Sequence, residues 1–98
     1  MSRSKDAILI NSKDNVATCL KVFQTGDIIH FDAVNNHMDI NVQEPIESGH
    51  KVAIVPIKKG EAIIKYGEII GLASKNIKKG DHVHIHNVQG RRGRGDLR

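Results

Sequence analysis

Cysteine, tryptophan and aromatic residues in general are scarce in this sequence. There is one cysteine, no tryptophan, and only Phe23, Phe31 and Tyr66 carry aromatic rings larger than imidazole. A lone Cys19 excludes an intrachain disulfide and suits a reducing compartment. With so few rings, the core must be built from Ile, Val, Leu and Ala. The same scarcity removes the stacking platforms on which single-stranded nucleic acids are usually held. No apolar run is long enough to span a bilayer, and Asp6 interrupts the first eleven residues, so no signal peptide is expected. The expectation is a soluble, cytoplasmic protein. A paired-cysteine metal motif, a phosphate-binding glycine loop and a recognisable Ser/His/Asp set are all missing.

Ninety-eight residues make one small domain with a modest core. A deep pocket within it is not expected; a site completed at an interface is. The formal net charge of +4 is unevenly distributed. The tail 91–98 holds Arg91, Arg92, Arg94 and Arg98 against Asp96, which leaves residues 1–90 nearly neutral. The division is therefore a domain over 1–90 and a basic tail over 91–98. Such a tail can touch phosphate or an acidic patch on a partner. Without aromatic neighbours it does not make a nucleic-acid binder.

The patterning predicts a mainly β domain with one short helix. Ala7 to Ile10 reads as a first strand. Asp14 is placed to cap a helix starting near Asn15, with Val16, Leu20 and Phe23 at helical spacing and Gly26 beyond its end. Asp27 to Ala33 reads as a strand, and Val34 to His37 as a turn. Met38, Ile40 and Val42 then alternate with Asp39, Asn41 and Gln43, the period of a half-buried strand. His50 to Ile57 reads as a further strand, interrupted by Pro56. A short phrase recurs: Ile57-Lys58-Lys59-Gly60-Glu61 and Ile77-Lys78-Lys79-Gly80-Asp81, with looser copies at Ile46 to His50 and Val22 to Asp27. Each copy runs from an apolar residue through a polar pair and glycine into a strand.

Three of the six histidines fall at alternate positions, His82, His84 and His86. On a strand they would share one face, with Val83 and Ile85 on the other. His84 and His86 could then bind one metal ion, work as an acid/base pair, or hold a carboxylate. His50, Lys51, Lys65 and Tyr66 add donors suited to a hydroxylated carboxylate such as a sugar acid.

Taken together, Asp14-Asn15-Val16-Ala17, Ile46 to Ala53, Ile64-Lys65-Tyr66-Gly67 with Ile70-Gly71, His84 to Val88, and Arg92 to Leu97 resemble the SAF-type domain of the altronate/galactarate dehydratase family. The resemblance runs from about Ala7 to the C-terminus. It implies a β-clip fold. It also implies a separate small subunit that works with a large dehydratase subunit carrying most of the catalytic machinery. The reaction implied is β-elimination of water from a sugar acid, D-altronate giving 2-dehydro-3-deoxy-D-gluconate, with the substrate open among altronate, galactarate and sulfolactate. A divalent metal, Fe2+ or Mn2+, held mainly by the large subunit is implied as well. Carried over by position, His84 and His86 reach the active site, Asn87 orients them or binds the substrate, and Lys65, Tyr66, His50 and Lys51 contribute to substrate binding. His82 matches a variable position and is left out. A non-catalytic sugar-acid-binding module is the alternative of another class, and a homo-oligomer is left open.

Overall fold

In a computed structural model, residues 6–32 and 37–90 are described, and every regular element among them is a strand. In chain order these are β1 (Ala7–Ile8), β2 (Val16–Cys19), β3 (Ile28–Asp32), β4 (His37–Asn41), β5 (Lys51–Ala53), β6 (Ala62–Lys65), β7 (Glu68–Ala73), β8 (His82–Val83) and β9 (Val88–Gln89). They form three antiparallel sheets, ordered β1-β2-β5-β8, β3-β4 and β6-β7-β9. The mainly β reading therefore holds. The expected turn over 34–37 falls largely outside the described residues, and the arginine-rich tail wholly outside them.

The expected helix over residues 15–25 does not form; its first half is β2. The physical reason is burial on both faces. Ala17 and Cys19 enter one apolar cluster with Ile29, Phe31, Ile40, Ile46 and Val52, while Val16 enters a second with Ala53, Ile57, Ile63, Ala73, Ile77 and Val83. A strand covered on both sides shows a continuous apolar run instead of alternation. Leu20 is exposed, and Phe23 is buried because it bridges to Ile46, so the helical spacing of Val16, Leu20 and Phe23 is coincidental.

Asp14 caps no helix. Its carboxylate accepts from the backbone of Gly67 at 2.7 Å and of Asn11 at 3.3 Å, tying the segment before β2 to the β6–β7 corner. Asn15 extends the same tie. Its amide donates to the Ala62 carbonyl at 2.9 Å and accepts from the Ile64 N–H at 2.8 Å, standing in for a strand partner of β6.

The four copies of the recurring phrase all become the same turn, and they pair two by two: Phe23 bridges Ile46, and Ile57 bridges Ile77. In three copies the residue after glycine is an acid that accepts from the backbone three residues earlier. Asp27 does so from Gln24 at 2.7 Å, Glu61 from Lys58 at 2.9 Å, and Asp81 from Lys78 at 2.8 Å. In the remaining copy that position is His50.

Candidate functional site

The expected histidine strand is cut short. β8 ends at Val83, and His84 to Asn87 form a turn leading into β9. Asn87 makes the turn. Its side-chain oxygen accepts from the His84 N–H at 2.9 Å, its amide donates to the His82 carbonyl at 2.9 Å, and its backbone N–H donates to the His84 carbonyl at 3.1 Å. With both ends of the amide engaged and only 3% of its surface exposed, Asn87 positions the histidines and offers no group to a ligand. The break also moves Ile85, expected on the same strand face as Val83, to the turn's tip, where it is 84% exposed while Val83 is fully buried.

The turn gathers more imidazoles than alternation alone would. His50 reaches across from the turn before β5, and its Nδ1 lies 2.8 Å from His82 Nε2. The His50 ring stacks on His84 with centroids 4.1 Å apart, and His82 lies 5.2 Å from both His84 and His86. One nitrogen of His50, of His82 and of His84 can all be taken within 4.8 Å of one another, and all three residues are half-buried. Glu44 borders the group: its carboxylate accepts from the His82 backbone at 3.1 Å and lies 3.8 Å from His86 Nε2.

Protonation is disfavoured here. Burial first, then the neighbouring His86, His50 and His84, hold His82 below the ordinary imidazole value of 6.5. Burial first, then His50, Lys51 and His86, lower His84 in the same way. Two imidazoles sharing a hydrogen at 2.8 Å need an unprotonated nitrogen on one of them, which agrees with these directions.

Lys51 lines a shallow open depression together with Ile70, His84, Ile85 and Val88. Burial, and then the charge of Lys65, lower its pKa from the ordinary 10.5. Lys65 ends β6 with its ammonium 5.0 Å from the centre of the Tyr66 ring. Tyr66 occupies the β6–β7 corner with φ +54° and its side chain is exposed. The structure thus groups His50, Lys51, His82, His84 and His86, places Lys65 alongside, and leaves Tyr66 at the periphery. His82 belongs to the group although the family resemblance leaves it out; its alternate spacing with His84 and His86 is the sequence signal for it.

A second cluster lies on another sheet. Asp39 Oδ1 receives His30 Nδ1 at 2.7 Å and His37 Nε2 at 2.8 Å on the exposed face of the β3–β4 hairpin. Among the described residues, no helix is long and apolar enough to cross a membrane.

Residues 5–91 match the family described as the altronate/galactarate dehydratase SAF domain. The chain is 40% identical over 85 residues to an altronate dehydratase of Bacillus subtilis (strain 168), the match covering 87% of this chain and 16% of that protein. An altronate dehydratase of Escherichia coli (strain K12) is 37% identical over 82 residues, covering 84% and 16%. The chain thus spans about one-sixth of the length of these two relatives. A (2R)-sulfolactate sulfo-lyase subunit alpha of Paracoccus pantotrophus is 38% identical over 58 residues, covering 59% of this chain and 87% of that one.

Proposed function

The chain belongs to the altronate/galactarate dehydratase SAF-domain family, and from that premise we propose that it is the small subunit of a sugar-acid dehydratase, eliminating water from D-altronate together with a larger catalytic subunit. The observation that carries this reading is the grouping of four imidazoles beside Lys51, with His84 and Lys51 lining an open depression. The relatives support it by size. The matched segment is a minor part of the proteins named altronate dehydratase and most of a chain named subunit alpha.

β-Elimination needs a base for the proton beside the carboxylate, an acid for the leaving hydroxyl, and positive charge near the developing enediolate. The C–H electron pair forms the new C=C bond as the C–O bond breaks. The hydroxyl leaves as water once protonated, and the enol product becomes the keto acid. In this reading Lys51 receives the substrate carboxylate, and the nearby charge of Lys65 adds to the attraction. His86, beside Glu44, is the imidazole available for proton transfer. Asn87 fixes the turn that carries it. A divalent cation, Fe2+ or Mn2+ as the family reading implies, supplies an electrophile for the enediolate when bound. The imidazole donors of His50, His82 and His84 would fit Fe2+ better than the oxygen-preferring Mn2+.

Mixing the chain with its larger partner is expected to give dehydratase activity on D-altronate that neither shows alone. His86→Ala should lower the rate by roughly 10²- to 10⁴-fold with an unchanged circular dichroism spectrum. Full activity in that variant would remove the histidine turn from the mechanism. The second reading, sulfo-lyase action on (2R)-sulfolactate, is favoured by the size of the subunit-alpha relatives. Assaying both substrates with the same mixture separates the two.

A further inference from the structure

We infer that this chain carries a metal site of its own, with His50, His82 and His84 as ligands for a first-row divalent cation, and that the site fills without the larger subunit. The inference deepens the function proposed above and rests on it only for the cation's role in the reaction.

The turn repeat supplies the first argument. Three of the four turns close with a carboxylate on a backbone N–H at 2.7–2.9 Å. The fourth gives that hydrogen bond up. His50 stands where the acid stands in its sisters, and its ring turns instead to His82 and His84. A fold that makes this turn well with Asp or Glu has no need of His there. The imidazole is therefore explained by what it joins.

Preorganisation supplies the second. Each ligand's main chain is pinned. The His50 carbonyl accepts from Cys19 at 2.8 Å, and its N–H donates to Glu47 at 3.0 Å. His82 pairs with Val52 in the sheet and donates to Glu44. His84 is held by Asn87. Ligands fixed in this way lose little freedom on binding. His50 Nδ1 and His82 Nε2 already face each other across a shared hydrogen, so a cation between them would take that hydrogen's place, and the imidazole that carried it would hold it on its other ring nitrogen instead.

The donor set gives the class of ion. Three imidazole nitrogens with no carboxylate among them suit Zn2+, Co2+, Ni2+ or Fe2+ and do not suit Mg2+ or Ca2+, which take oxygen. Three protein ligands leave a coordination position open, the arrangement of reactive rather than purely structural sites. His84, one of the three ligands, also lines the depression together with Lys51. Lys51 opposes a cation, and Glu44 and Glu47 offset it.

The test uses Co2+ as probe on the full-length chain alone, in a His30→Ala/His37→Ala background so that the β3–β4 cluster contributes nothing. One equivalent should bind, with a visible d–d absorption band that Zn2+ displaces and Mg2+ does not. His82→Ala and His50→Asp should each weaken binding by about tenfold or more, since losing even an outer-shell partner costs this much. His50→Asp restores the sister turns' residue and is expected to keep the fold, which circular dichroism checks. No Co2+ bound, or binding unchanged in both variants, overturns the inference. Failure here with dehydratase activity intact in the two-subunit mixture would leave the proposed function standing. Co2+ binding by a chain that supports no sugar-acid turnover would do the reverse.

Discussion

His50 and Cys19 show how differently two single residues can be decided by their surroundings. Replacing His50 by Asp should return the hydrogen bond that Asp27, Glu61 and Asp81 make in the sister turns, a gain of about 0.5–1.5 kcal/mol. Urea unfolding is the check: the variant should be at least as stable as the parent while activity with the larger subunit falls. A large loss of stability would mean that His50 is needed for folding. Cys19 is fully buried, and burial, with the charge of Asp6 behind it, pushes its thiol up to about 12. A thiol reagent at pH 8 should leave it unmodified in the folded chain and label it once guanidinium is added. Rapid labelling without denaturant would contradict this burial. The spacing of His82, His84 and His86 marked this stretch in the sequence. The family resemblance names His50 for the same site, but its contact with His82 is not legible in spacing, because 32 residues separate the two and the pairing of β5 with β8 joins them.

At the scale of elements, the four turns were legible because their rule is local. Each needs an apolar bridge residue, a polar pair and a glycine, and all four glycines have φ between +87° and +94°. The alternation of Met38 to Gln43 was equally plain, since one face of β4 is covered and the other is wet. β2 misled for the opposite reason: apolar neighbours on both faces erase the period-two signal. Asp14 and Asn15 looked like the start of a helix because the same side-chain groups that cap helices also bond backbone in loops. The turns are alike in backbone but not in surroundings. A Cβ at Gly26 would meet nothing, whereas at Gly80 it would collide with the Asn41 carbonyl oxygen. Gly26→Ala should therefore cost only the backbone term, about 1–2 kcal/mol. Gly80→Ala should cost several times more, or prevent folding. Equal melting temperatures for the two would show that the Asn41 contact is not rigid.

For the molecule as a whole, the placement of apolar surface bears on assembly. Ile85 projects from the tip of the histidine turn, with exposed Ile70 and half-buried Val88 beside it around the depression. A large aliphatic side chain so exposed adds little to the stability of the chain that carries it. Ile85→Lys should leave the urea midpoint nearly unchanged, within about 0.5 kcal/mol. It should also weaken association with the larger subunit, read by analytical ultracentrifugation of the mixture. Unchanged association would place the docking face elsewhere.

The bonds from Asp14 and Asn15 also fix an order of events. They reach Gly67, Ala62 and Ile64 across 47 to 53 residues of chain, so closing them early would cost more loop entropy than a few hydrogen bonds return. The β6–β7 hairpin, with two residues between its strands, has no such barrier. It is expected to form first and to serve as the mould on which the segment before β2 is set. On a nascent chain, that segment would emerge first and wait for its template until Gly67 had been made.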